Sequence, residues 1–284
     1  MFLVELTIQM MYWIYCRRNF TECRYSLRME KDIFREMFGF AGWNFLTTCA
    51  SMLSTQGVSI LLNMQFGPVI NAARGVASQI NGTVGAFHRN FTTALNPQIT
   101  KTYAAEDFEY VKRLVCKGAK FSYLAFFFIA LPCMIEVNFF LSVWLKEVPA
   151  YAGIFVQLTL LNSLVEVLLN SSETLNRATG KIRNFQLLVS SAQFAILIAS
   201  YIALKITANP ILVVSMANII YLLIFVPRIL VNKPYVGMTF GYYYKEVLQG
   251  IIMMSVISAA LSLLPFMFMS DGWMRLVTVG VVSS

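Results

Sequence analysis

Positive charge alternates along this chain in step with its apolar stretches, and that alternation constrains the fold more than any motif does. Apolar runs occupy about residues 1–15, 39–63, 74–97, 120–144, 153–176, 185–205, 210–228 and 247–269, and another starts near 273. Every second gap is basic. The first holds Arg17, Arg18, Arg24, Arg28, Lys31 and Arg35, and the second Lys101, Lys112, Arg113, Lys117 and Lys120. Arg177, Lys181 and Arg183 fill the third, and Arg228, Lys233 and Lys245 the fourth. The intervening gaps contain only Lys146 and Lys205. A soluble chain has no reason to alternate in this way. A polytopic membrane chain does, because basic loops stay in the cytoplasm.

Composition supports the same class. The chain is 58% hydrophobic and 13% charged, whereas a soluble domain carries about 25% charged residues. Runs of about 20–25 residues match the length needed to cross a hydrocarbon core of about 30 Å. The runs are continuous, without the alternation of outer-membrane strands, so the expected fold is an all-α polytopic bundle. The formal charge of +8 sits in membrane-flanking segments, where anionic lipid headgroups attract it, and nucleic acid is not an expected partner.

Basic gaps 17–38, 98–119, 177–184 and 229–246 are expected in the cytoplasm, which makes the first run end inside and leaves seven complete spans. Short far-side connections imply antiparallel neighbours. Aromatic residues cluster where interfaces are expected, at Trp43, Trp144, Tyr151, Tyr242-Tyr243-Tyr244 and Trp273. Met1 starts within an apolar run, and the run from Trp273 stops at Ser284 at about half a span. The chain is therefore read as part of a longer protein. The five cysteines, Cys16, Cys23, Cys49, Cys116 and Cys133, show neither CxxC nor metal spacing, and no disulfide or metal site is expected.

Polar residues concentrate in the run 74–97. At 100° per residue Arg74, Ser78, Asn81, Gly85, His88 and Thr92 form one stripe, with Asn71, Arg89 and Asn96 within about 60° of it. Arg89 lies deep in the span, where a charge left in lipid costs about 2.5–3.5 kcal/mol, so it must face protein or water. Asn44, Thr48, Ser51 and Thr55 make a matching stripe on the preceding run, continued by Gly57, Ser59 and Asn63. Two such helices describe either a tightly packed pair or the wall of a wet cavity. A guanidinium lining a cavity suits a phosphate-bearing substrate, whereas Arg74 at the headgroups would only snorkel. His88 is read as a proton carrier or a hydrogen-bonded structural histidine. Glu136, just after a kink expected at Pro132, and Glu166 are the buried acids and the candidates for binding a coupling cation. Glu173 and Arg177 form an ordinary i, i+4 surface pair. No GxSxG, HExxH, Walker loop or paired-Asp pattern occurs, so no catalytic role and no cofactor is expected.

Residues 42–104 then resemble a known family. QGVSILLN (56–63), FGP (66–68), NAARG (71–75), NF (90–91), NPQI (96–99) and the K-x-YA ending at Lys101, Tyr103 and Ala104 are similar to the second lobe of bacterial O-antigen flippases. These belong to the multidrug/oligosaccharidyl-lipid/polysaccharide exporter superfamily. The WLKEVPAY loop (144–151) and ATGKI (178–182) also fit. The likeness is strong over 40–105, loose to about 205, and beyond that rests on hydropathy.

The resemblance implies two six-helix lobes around a central cavity. Residues 1–38 would be the end of a helix and the basic inter-lobe loop, 39–228 the second lobe, and 229–284 a surface segment and additional C-terminal helices. It implies a bacterial cytoplasmic-membrane carrier that moves polyprenyl-pyrophosphate-linked oligosaccharide by alternating access, together with an N-terminal lobe. Arg74 and Arg89 would meet the diphosphate, and Asn63, Asn71, Asn81 and Asn96 the sugar hydroxyls. A cation-coupled multidrug exporter and a non-catalytic scaffold for polysaccharide assembly are the alternatives.

Overall fold

The computed structural model describes residues 2–20, 31–268 and 272–282, and every regular element among them is helical. Arg24, Arg28 and Cys23 of the first basic gap lie outside the described residues. The chain divides into two units, Met1–Gly42 and Trp43–Ser284. The first contains α1 (Phe2–Asn19), whose side chains are mostly exposed and whose Arg17 lies over the Trp13 ring at 5.1 Å. It also holds the start of α2 (Lys31–Phe66).

The second unit continues α2 and adds α3 (Pro68–Ala104), α4 (Phe108–Ile135), α5 (Val137–Trp144), α6 (Ala152–Ala178), α7 (Arg183–Ile206) and α8 (Pro210–Leu230). Two short turns of helix, α9 (Lys233–Val236) and α10 (Phe240–Tyr243), lead through a π-helical turn into α11 (Gln249–Phe268) and then α12 (Trp273–Val282). Among the described residues, six helical stretches are long and apolar enough to cross a membrane: Met37–Phe66, Phe108–Ile135, Ala152–Ala178, Arg183–Ile206, Pro210–Val236 and Phe240–Pro265. The chain is thus an all-α, polytopic membrane bundle. The span expected at 74–97 is not among the six. It forms a helix of 37 residues, but its polar residues hold it below the hydropathy of its neighbours.

The helices run further than the apolar stretches do. α3 and α4 consume all of the basic segment 98–119 except residues 105–107, so its charges project from helix ends instead of a loop. Lys112 pairs with Glu109 at 2.6 Å and covers the Tyr242 ring at 5.5 Å. The far-side gap 64–73 shrinks to Gly67 alone, with φ 77° and ψ −176°. That backbone region is open essentially to glycine only, and Pro68 then supplies the preset φ of a first helical residue. Gly67→Ala is expected to destabilise the α2–α3 hairpin by about 1–3 kcal/mol, read as a lower unfolding midpoint in detergent, whereas Gly75→Ala meets open space and stabilises slightly.

Pro132 remains inside α4, and the break falls at Glu136. There Gln157 of α6 donates Nε2–H to the Met134 carbonyl at 2.9 Å, satisfying an acceptor that the broken helix frees. α6 is central, packing on α3, α4 and α8, while α7 packs on α8. A side chain at Gly118 of α4 would run into Leu95 of α3 and Ser171 of α6, so three helices meet there at close approach. α2 closes against α7 through Thr47–Ser190 Oγ (2.9 Å) and Gln186 Nε2 to Asn44 Oδ1 (2.9 Å). α2, α3, α6, α8 and α7 thereby form a ring, with α4 outside it and α11 and α12 resting on α4.

The segment after α8 does not simply lie on a surface. Asn232 donates to Ser172 O and Oγ (3.1 and 2.8 Å), and Tyr243, expected at an interface, is fully buried with its hydroxyl on Leu168 O at 2.7 Å. Cys16, Cys49, Cys116 and Cys133 are free thiols.

Candidate functional site

α3 presents its polar stripe to the inside of the ring, towards α6 and α2, while Ile70, Ala73, Ala77, Ile80, Val84 and Ile99 complete its buried side. Two cavities open along the stripe. The first, about 190 Å³, lies inside the five-helix ring near the Gly67 end, and Thr55, Arg74, Ser78, Asn162, Gln193, Asn218 and Tyr221 are among its lining. Arg74 Nη1 donates to Thr55 O (3.1 Å) and Ser59 Oγ (2.6 Å). No described carboxylate pairs with Arg74. Gln193 Nε2 donates to Tyr221 OH at 2.7 Å, and Asn218 Nδ2 to Leu158 O at 3.2 Å. The Oδ1 atoms of Asn162 and Asn218 are buried acceptors without a protein partner.

The second cavity, about 400 Å³, lies between α3 and α6 near their basic ends. His88, Arg89, Thr92, Thr93, Asn96, Asn170, Glu173, Thr174 and Arg177 line it, and every one of them is polar. Thr174 donates to Asn96 Oδ1 at 2.9 Å. His88 is 7% exposed, lies edge-on to Phe126, and meets Asn170 Nδ2 through Nε2 at 3.2 Å. The other ring nitrogen, Nδ1, is buried without a hydrogen-bond partner among the described residues. Arg89 is exposed at the rim and folds back along its helix, its Nη2 on Gly82 O at 2.7 Å. Gly85 makes that posture feasible, because a Cβ there would stand 2.7 Å from Arg89 Nη1.

Charges beyond the cavity wall are organised by Arg228 of α8. It is 3% exposed along its side chain, meets Glu166 Oε1 at 2.5 Å and Glu173 Oε2 at 3.6 Å, and lies over the Phe185 ring. Glu173 is shared with Arg177 at 2.7 Å. At the other end of the bundle Glu136, 1% exposed, is held by Arg275 of α12, with Nη2 on Oε2 and Nε near Oε1, both at 2.6 Å.

The expected site residues are thus distributed. His88, Arg89 and Asn96 come together in the second cavity, and Arg74 lines the first. Asn81 sits between them, its Oδ1 buried without a partner, whereas Asn71 is half-buried, Asn63 is exposed, and neither lines a cavity described here. Arg74 and Arg89 are separated by about 22 Å at 1.5 Å per residue, so a single diphosphate does not reach both. Glu136 and Glu166 each have an arginine where a coupling cation would sit. Among the described residues no cluster of His, Cys, Asp and Glu is able to hold a metal. Sequence spacing alone did not mark Arg177, Asn170 and Thr174 as cavity residues. Their signal is the i, i+4, i+7 register on α6 facing the α3 stripe.

No protein-family model, curated protein or solved structure matches this chain.

Proposed function

We propose that the chain is a large part of a membrane carrier that moves a lipid-linked oligosaccharide, a glycan on polyprenyl pyrophosphate, across the bacterial cytoplasmic membrane. The observation that carries the reading is the second cavity, a recess between α3 and α6 whose lining is all polar and includes two guanidinium groups. Arg89 and Arg177 against Glu173 leave a net positive charge there, which favours a diphosphate. Asn96, Asn170 and Thr174 offer donors and acceptors to sugar hydroxyls. The basic ends of α3 and α6 belong in the cytoplasm by the charge rule, so the cavity would meet substrate where it is made. Binding and conformational exchange suffice for such transport, and the chain acts as a carrier, not a catalyst. The resemblance over residues 42–104 points the same way.

Expression in a cell lacking its own oligosaccharide flippase tests this, reading surface polysaccharide and lipid-linked precursor. Arg89→Ala removes a charge-assisted contact worth about 1.5–3 kcal/mol, so export is expected to fall about tenfold or more with the protein still in the membrane. Arg74→Ala, whose guanidinium already bonds to α2, is expected to loosen the hairpin and leave export closer to normal. Absence of rescue combined with resistance to a cationic dye would move the reading to a drug exporter.

A further inference from the structure

The outward face of α4 changes character abruptly along its length. At 100° per residue Arg113, Lys117 and Lys120 fall in one sector about 100° wide, and Phe121, Leu124 and Phe128 continue it. Arg113 and Lys117 are exposed and Lys120 is half-buried, while Phe121 and Phe128 are 56% and 49% exposed. Three cations thus stack over about 10 Å of helix axis, and the apolar part begins beside the last of them. Phe91 of α3 meets Phe121 with ring centroids 5.9 Å apart, which widens the apolar strip towards α3. Carboxylates offset other cations at the basic ends of the bundle, since Glu109 holds Lys112 and Glu173 holds Arg177. Among the described residues no carboxylate pairs with Arg113, Lys117 or Lys120. Arg113 lies over the Tyr110 ring at 5.8 Å, a contact that leaves its charge uncancelled. None of the three lines either cavity described above.

We infer that this face of α4 holds an anionic phospholipid, with its phosphates on Arg113, Lys117 and Lys120 and its acyl chains along Phe121, Leu124 and Phe128. Uncancelled cations at the edge of an apolar strip match a molecule that is charged at one end and apolar at the other. A soluble anion would make no use of the apolar half. Attraction to anionic headgroups accumulates charge by charge, so three cations on one face select a lipid that offers more than one negative charge. Their height favours two phosphates set apart by a glycerol, as in diphosphatidylglycerol, over a compact pyrophosphate. The site stands apart from the function proposed above and would serve a carrier or a scaffold alike.

Native mass spectrometry of the full chain, released from detergent micelles doped with diphosphatidylglycerol or with phosphatidylcholine, tests the site. Diphosphatidylglycerol is expected to be retained about tenfold more strongly or better, and Arg113→Gln, Lys117→Gln and Lys120→Gln together should remove that preference. A control variant, Lys101→Gln with Lys181→Gln and Lys233→Gln, takes three charges from exposed positions elsewhere at the basic ends and should keep it. Equal loss in the control overturns the site, because overall charge then accounts for the retention. A preference that survives in the α4 triple variant overturns it as well. Phe121→Gln leaves all three cations in place and should still loosen the lipid; unaltered retention would remove the acyl half of the inference. An equal concentration of a polyprenyl pyrophosphate should leave the phospholipid bound, and displacement would give this face to that lipid instead. Retention is read without any export assay, so the outcome does not depend on whether the chain proves to be a flippase.

Discussion

Glu136→Ala is expected to destabilise the protein by about 3–5 kcal/mol, because it breaks a buried ion pair in which both Nη2 and Nε of Arg275 meet the Glu136 carboxylate. The pair joins residues 139 positions apart in sequence. It sits where α4 breaks into α5, and Arg275 belongs to a helix whose other residues, Trp273 to Val282, carry no charge. Each charge alone would oppose burial, and together they neutralise one another. A lowered unfolding midpoint in detergent and release of α12 to protease measure the loss. Arg275→Ala should behave alike, since it strands a carboxylate that is 1% exposed. The double change Glu136→Gln with Arg275→Gln removes both charges and should recover most of the stability. If the double variant is as unstable as the sum of the two singles, the pair is not what holds α12 to the α4–α5 joint.

The order of the helices is legible in the sequence because charge and apolarity alternate with a period set by membrane thickness, and five of the seven expected spans appear at nearly their expected places, while the run expected at 120–144 is broken at Glu136 and its long helix is Phe108–Ile135. α3 departs from this for the reason that makes it interesting. A hydropathy window averages over a helix, and α3 carries polar residues on two faces, one towards α6 and one outward. The stripe from Arg74 to Thr92 is visible as periodicity, yet periodicity assigns no partner. It could not separate Arg74, bonded to α2, from Arg89 at the rim of another cavity. Nor could it pair Glu136 with Arg275 or Glu166 with Arg228, since such pairings depend on which distant helices touch. The connections are shorter than the apolar pattern implies for a simpler reason: α3 and α4 continue past their apolar runs, where residues such as Lys112 and Glu109 support one another.

Arg228 is the other position where one substitution should matter most. It stands between Glu166 and Glu173 with its face on Phe185, so Arg228→Ala removes a charge-assisted contact to Glu166 and leaves two partly exposed carboxylates near each other, a loss of about 1.5–3 kcal/mol. Glu166→Gln removes only one partner, and Glu173 still offsets the guanidinium, so its cost should be about 1 kcal/mol. Arg228→Lys keeps the charge but offers a point charge where a planar fork spans two acids, and should fall between them. Unfolding midpoints of the three variants in detergent check that order. The same network reaches the second cavity, because Glu173 divides itself between Arg228 and Arg177. Without Arg228, Glu173 belongs to Arg177 alone and the cavity loses part of its positive character. On the proposed function, Arg228→Ala should therefore weaken export beyond what the lower amount of folded protein accounts for, and Glu173→Gln in that background should restore part of it. Restoration of stability without restoration of export would confine Arg228 to holding α6 against α8.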